Sequence, residues 1–86
     1  MIHELKCQYE YFERLLDGSK THETRLNDRD YQTGDTLVIC QLIKGSYTLK
    51  TGKSLKFKVT HVLENSHYVK PGFCIMSIKP EEPSND

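Results

Sequence analysis

At 86 residues, the chain is long enough for one hydrophobic core and too short for a second independent one. It carries 12 Lys and Arg residues against 12 Asp and Glu residues. No overall charge therefore attracts nucleic acid or a membrane surface, and any such partner must be met by a local patch.

The cysteine and histidine spacings exclude the usual signatures of disulfide frameworks and metal sites. Cys7, Cys40 and Cys74 form no CxxC pair and are typical of buried thiols in a reducing compartment. The four histidines show no ligand spacing either, so we expect no metal and no cofactor. The N-terminus lacks a basic head followed by an apolar run, and no segment approaches the ~20 apolar residues of a membrane span. We therefore expect a cytoplasmic protein without a membrane partner.

The first half of the chain predicts a strand, a helix and a second strand. Residues 2–7 alternate polar and apolar side chains, as a half-buried strand does. Residues 8–18 repeat apolar side chains at helical spacing, and Gly18 supplies a left-handed stop, so they predict the main helix. Residues 21–26 alternate again, and the Asn, Asp and Gly residues of 27–35 predict a turn region.

The second half predicts strands only. Residues 36–43 are nearly continuously apolar and β-branched, which indicates a central strand of the core. Residues 44–54 are rich in Lys, Gly and Ser and predict a hairpin region. Strands are expected at 55–63 and 72–78, and the Pro-rich and acidic segment 80–86 is expected to be a flexible tail.

This order of elements predicts a single α+β domain over residues 1–79. One N-terminal helix cannot supply the crossovers of a doubly wound sheet. We therefore expect a small antiparallel or mixed β-barrel of about five to six strands, with the helix at one end.

The strand at 21–26 carries an unusual concentration of charge. Glu23 and Arg25 are two residues apart, so they leave the same face of the strand, and Lys20 comes just before it. On a solvated face this would be an ordinary ion pair worth at most about 1 kcal/mol. In a cleft, the same three side chains would form a polar binding site.

Several sequence blocks favour the cleft, because together they resemble a known family. The blocks are HELK at 3–6, YFERLLDG at 11–18, SKTHETR at 19–25, NDRDYQTGD at 27–35 and TLVI at 36–39. In their order and spacing they resemble the ASCH domain of the PUA-like superfamily, in a small bacterial and phage branch. The resemblance runs from about His3 to Ile78.

The resemblance implies a compact PUA-like β-barrel with a cleft that receives RNA, a nucleotide or a modified base. It assigns ligand binding to residues that match the GxKxxExR and NDRD motifs: Lys20, Glu23, Arg25, Asn27, Asp28 and Arg29. Asp30 completes the match to the NDRD motif. Arg25 and Lys20 would hold a phosphate or carbonyl oxygen. Glu23 would either accept a hydrogen bond from an exocyclic amine or orient Arg25.

An enzymatic alternative comes from a PUA-like relative that is an amidohydrolase on acetylated cytidine. Its lysine aligns with Lys20, which places Glu23 where the relative has a nucleophilic threonine. Thr24 is the nearest hydroxyl on the strand, but lies on the opposite face, and Glu64 is the acid available later in the chain. Lys20, Glu23, Thr24 and Glu64 are the candidate catalytic residues of this alternative.

A second basic feature and a third function class also stay open. Residues 44–63 contain lysines and no acid, and Lys56 and Lys58 share a strand face that could follow a nucleic-acid backbone. Lysines at outward positions also protect strand edges from pairing with other chains. A protein-interaction accessory domain, whose barrel edge docks a protein partner, is the remaining alternative.

Overall fold

The computed structural model describes residues 1–81. It has five strands and one helix in the order β1 (Ile2–Cys7), α1 (Tyr9–Asp17), β2 (His22–Leu26), β3 (Thr36–Leu42), β4 (Lys50–Leu63) and β5 (Phe73–Pro80). The predicted α+β class, the strand count and the single main helix are confirmed. Gly18 ends α1 with φ of 86°, the left-handed conformation that its lack of a side chain permits.

The five strands form one mixed, curled sheet. Their spatial order is β1-β3-β4-β5-β2, in which β1 and β3 run parallel and the other neighbours run antiparallel. β1 and β2 are the two edges of this sheet and do not pair with each other. The expected barrel is therefore a half-barrel, open between β1 and β2.

The core lies on the concave face of the half-barrel. Leu37 and Ile39 of β3 and Met76 of β5 are fully buried there, and α1 adds Phe12 and Leu15. Leu16 of the same helix is 54% exposed and does not belong to this core.

Two strands are longer than the sequence predicts. β4 begins at Lys50, so the connection from β3 is short and the Lys-Thr-Gly-Lys-Ser segment is strand. Leu42 pairs with Lys50 across a register shift, and Thr51 Oγ1 donates to Gln41 Oε1 at 3.0 Å. β5 ends at Pro80, and residues 82–86 of the predicted tail lie outside the described residues. Within residues 1–81, no helix combines the length and apolar character needed to cross a membrane.

Candidate functional site: a polar cleft between two open strand edges

The gap between β1 and β2 is bridged by two arginine side chains. Arg25 Nη2 donates to the carbonyl oxygen of Lys6 at 2.7 Å, and Arg29 Nη1 donates to that of Glu4 at 3.1 Å. In a strand, every second residue directs its carbonyl to the same edge, so Glu4 and Lys6 present theirs to the open side of β1. Guanidinium groups thus occupy part of the space that a sixth strand would fill.

Glu23 holds one of these arginines in place from within the half-barrel. Its side chain is only 5% exposed, and its two carboxylate oxygens accept from Lys20 Nζ at 2.6 Å and Arg25 Nε at 2.9 Å. The side chains of Lys20 and Arg25 are 18% and 25% exposed. The predicted shared face of Glu23 and Arg25 is present, and the cluster is partly buried rather than an ordinary surface ion pair.

A cleft of about 250 Å³ opens beside this cluster. It is lined by Lys6, Cys7, Gln8, Tyr11, Glu23, Thr24, Arg25, Leu26 and Phe73. Lys20 contacts Glu23 but does not line the cleft, and its Nζ lies 5.9 Å from the centre of the Tyr11 ring. Thr24 lines the cleft although it leaves the opposite face from Glu23, because β2 is an edge strand.

The thiol in the cleft wall is held in its protonated form. Burial, with a smaller effect from the nearby Glu23 carboxylate, raises the pKa of Cys7 to about 11, and Arg25 and Lys20 oppose the shift. A thiolate, not a thiol, is the reactive nucleophile. The electrostatics of this site therefore suit binding through hydrogen bonds better than thiol catalysis.

The NDRD segment lies beside the cleft and forms contacts within the fold. Asn27 Oδ1 accepts from the Tyr31 N–H at 3.2 Å, and Asn27 Nδ2 donates to Glu64. Asp30 accepts from the Gln32 side chain at 3.0 Å, and Asp28 is exposed. None of the four NDRD residues lines the cleft, and Arg29 instead caps the β1 edge.

The sequence patterns did not single out a buried cluster at the start of β3. His3 Nε2 lies 2.8 Å from Asp35 Oδ2, which also accepts from the Gln32 N–H at 3.0 Å, and the His3 ring meets Tyr31 edge-on at 4.8 Å. Burial, the largest single effect, raises the pKa of Asp35. Hydrogen bonds from His3, Gln32 and the N-terminal ammonium outweigh it and lower this pKa to about 2. The alternation in residues 2–7 places His3 on the same strand face as Leu5 and Cys7, and from this pattern its burial could have been predicted.

The candidate backbone-binding lysines lie on the convex face of the sheet. Lys56 is exposed, and Lys58 stands directly opposite Lys79 on β5. β4 is the central strand, with neighbours on both sides, so protection of a strand edge does not explain these lysines. In residues 1–81, no group of three or more His, Cys, Asp or Glu side chains is placed to hold a metal ion.

The fold and the cleft define a small half-barrel domain with a polar site between two unpaired strand edges. The chain belongs to the family described as a domain of unknown function, DUF3850, whose model matches residues 2–78. It is 35% identical over 69 residues to an uncharacterized 12.9 kDa protein in the GpA 3' region of Escherichia phage P2. That match covers 80% of this chain and 61% of the phage protein.

A solved structure shares the fold. The crystal structure of hypothetical protein PH0355 superposes with a TM-score of 0.64 at 22% sequence identity. The match covers 94% of this chain and all of the other. At this level of identity the likeness establishes the fold alone.

Proposed function

We propose that this domain is an ASCH-type, PUA-like module that binds RNA or a nucleotide by taking one base into the cleft beside Glu23 and Arg25. The observation that carries the proposal is the arrangement of Arg25. Its Nε and Nη2 are fixed by Glu23 and Lys6, while among residues 1–81 its Nη1 has no hydrogen-bond acceptor. A preorganised guanidinium with free N–H groups at a cleft wall is suited to an oxygen or ring nitrogen of a ligand.

The size and lining of the cleft favour a single base. Its volume of about 250 Å³ lies below the roughly 300–1,000 Å³ of pockets for drug-sized ligands. Tyr11 and Phe73 contribute aromatic rings to the lining, and base–aromatic stacking is worth about 1–3 kcal/mol. The molecule has no net charge, so local groups rather than an overall field would recognise the ligand.

Within this proposal Glu23 is a positioning residue. Both carboxylate oxygens already accept hydrogen bonds from Lys20 and Arg25. Glu23 is therefore better placed to orient Arg25 than to accept a hydrogen bond from a base amine. Lys20 completes the same cluster from the side of Tyr11.

The lysines on the convex face of the sheet form a second candidate contact surface. Like charges placed directly opposite each other destabilise a sheet, and Lys58 and Lys79 are such a pair. An anion bound at this face would relieve that repulsion. We propose that Lys56, Lys58 and Lys79 contact phosphates of a longer RNA whose base enters the cleft.

The geometry supports binding better than the amidohydrolase alternative. Lys20 Nζ donates to Glu23 and to the His22 carbonyl, both at 2.6 Å, so it is engaged as a donor rather than as a base for Thr24. Glu64 contacts Asn27 and does not line the cleft. A protein-interaction role is the outcome that the following experiment would favour if no nucleotide bound.

The test is an amide chemical-shift titration of labelled protein with cytidine, acetylated cytidine, a nucleotide and a short single-stranded RNA, with product analysis of each sample. We expect shifts at residues 6–11 and 23–26 without turnover. Arg25→Gln should remove them, whereas Arg14→Gln, which removes an equal charge from an exposed site, should not. Absence of shifts with every compound would refute the proposal, and formation of cytidine from its acetylated form would favour the enzyme.

The proposed phosphate contacts of these lysines are tested separately, by comparing two double variants. Replacing Lys58 and Lys79 by Ser should weaken RNA binding and flatten its salt dependence by about one unit of slope for each phosphate that the variant no longer neutralises. Replacing Lys53 and Lys70, which are exposed and do not pair with Lys58 or Lys79, is the charge-matched control. Equal effects of both pairs would refute a phosphate site on the convex face.

A further inference from the structure

The open edge of β2 presents two free main-chain donors to the cleft. Asn27 N–H donates to the Gly72 carbonyl at 2.8 Å, so the main chain of Asn27 is turned toward β5. In an antiparallel pair alternate residues bond to the partner strand, so the odd-numbered residues of β2 face β5 and the even-numbered ones face away. The N–H groups of Thr24 and Leu26 therefore point to the open side, where both residues line the cleft.

The facing edge of β1 adds further donors through Lys6. Thr36 N–H donates to the Met1 carbonyl at 3.0 Å, so the odd-numbered residues of β1 bond to β3 and the main chain of Lys6 faces the open side. The Lys6 carbonyl accepts from Arg25 Nη2 at 2.7 Å, whereas the Lys6 N–H has no acceptor within residues 1–81. The Lys6 side chain is exposed, lines the cleft and forms no ion pair within the same residues.

Positive charge outweighs negative charge around the cleft. Lys6 and Arg25 line it, and Lys20 adjoins it through its contact with Glu23. Of the lining residues that the structure describes, Glu23 is the one acid, and its two oxygens are engaged by Lys20 and Arg25. The nearest acidic side chain of β1, that of Glu4, is paired with another lysine at 3.0 Å. Three cations therefore surround one carboxylate.

The free groups around the cleft that can only donate outnumber those that can only accept. The fixed donors are the main-chain N–H groups of Thr24, Leu26 and Lys6, the Lys6 ammonium and the remaining guanidinium N–H groups of Arg25. The Thr24 carbonyl faces the same open edge and is a fixed acceptor. The neutral side chains of Gln8, Tyr11 and Thr24 can donate or accept, so they do not reverse this excess.

An excess of donors and of positive charge matches a phosphate better than a base alone. A nucleobase carries both donors and acceptors, whereas the oxygens of a phosphate only accept and are negatively charged. Charge-assisted hydrogen bonds are about twice as strong as neutral ones. We infer that the cleft holds a nucleotide by its phosphate as well as its base, with Lys6 and the free N–H groups of β2 as the phosphate contacts. The inference rests on the proposed function of the cleft in binding a base.

The experiment titrates the full chain with each ribonucleoside, with its 5′- and 3′-monophosphates, and with inorganic phosphate. We expect the tighter monophosphate of a base to bind at least about tenfold more tightly than its nucleoside, the effect of one hydrogen bond between charged groups. Equal affinities of nucleosides and monophosphates would overturn the inference and leave the proposed function standing. Binding of none of these compounds, nor of RNA, would remove the proposed function. Inorganic phosphate that bound as tightly as every monophosphate would show that no base is recognised and would overturn both.

A lysine substitution tests whether Lys6 contacts the phosphate. Lys6→Gln removes the ammonium at an exposed position and keeps the main-chain N–H. We expect K6Q to reduce the preference for the monophosphate to less than about threefold and to leave nucleoside affinity unchanged, because the cycle of two proteins and two ligands isolates this one contact. Lys53→Gln, which removes an exposed lysine outside the cleft, should retain the preference. An unchanged preference in K6Q, or an equal loss in K53Q, would overturn the inference.

Discussion

Replacement of Glu23 by Gln should destabilise the protein more than the loss of any exposed carboxylate. In the native protein the buried Glu23 carboxylate accepts hydrogen bonds from Lys20 at 2.6 Å and from Arg25 at 2.9 Å. Gln has nearly the same shape but only one acceptor oxygen and no charge. Two partly buried cations would then share one neutral acceptor, and an amide N–H would face one of them.

The size of this loss in stability depends on how far the charged side chains of Lys20 and Arg25 can be rehydrated. Breaking a fully buried ion pair costs about 3–5 kcal/mol, because the remaining charge stays uncompensated. The side chains of Lys20 and Arg25 are 18% and 25% exposed, so both can partly rehydrate. We therefore expect a loss of about 2 kcal/mol in the free energy of unfolding, near the value of one charged hydrogen bond. In a domain of this size that corresponds to a fall of about 8–16 °C in Tm.

Chemical and thermal unfolding followed by circular dichroism measures this loss. Asp17→Asn is the matched control, because Asp17 pairs with Arg14 at 3.1 Å and the side chains of Arg14 and Asp17 are 64% and 49% exposed. The loss from D17N should be clearly smaller than the loss from E23Q, because exposed ion pairs contribute little to stability. If E23Q destabilised the protein no more than D17N, the cluster would be an ordinary surface network, and the argument that Glu23 fixes Arg25 would fail.

Two further predictions concern the other buried ionisable groups. Because the pKa of Asp35 is lowered to about 2 from an ordinary 3.8, the stability it contributes is complete above about pH 4 and is lost as the pH falls toward 2. The difference in Tm between the native protein and Asp35→Asn should therefore shrink across that range, and a difference that stayed constant would contradict the assignment. Because the pKa of Cys7 is about 11, iodoacetamide at pH 8 should modify Cys7 far more slowly in the folded than in the urea-unfolded protein, as measured by peptide mass spectrometry. Equal rates would show that the thiol is neither buried nor electrostatically suppressed.

Local patterns predicted the elements because each depends on residues close together in the chain. The alternation in residues 2–7 and the stop at Gly18 are decided locally, and both agree with the structure. The full length of β4 could not be predicted in this way. Its polar first residues, from Lys50 onward, are strand because β3 pairs with them and Thr51 contacts Gln41. Pairing with the preceding strand β3 overrode a composition typical of a loop.

The candidate site likewise has one feature that a local pattern predicts and others that depend on contacts between separate segments. The shared face of Glu23 and Arg25 follows from strand periodicity, so it could be predicted. The contacts of Arg25 with Lys6 and of Arg29 with Glu4 join segments 19 and 25 residues apart, and no local pattern encodes them. The NDRD motif suggested ligand contacts, but in the structure Asn27 bonds within the fold. A polar motif near a cleft can thus serve to shape it.

The incomplete closure of the sheet explains why this small domain has a polar cleft. In a closed barrel, β1 and β2 would pair, and the main-chain groups of Lys6 and Thr24 would be consumed by the ladder. Here Arg25 reaches across and takes only the Lys6 carbonyl, which leaves the outward N–H and C=O of Thr24 facing the cleft. Glu23 keeps the guanidinium in that position from the buried side. The same open edge that would otherwise invite pairing with another chain is thereby converted into an arrangement suited to a small hydrogen-bonding ligand.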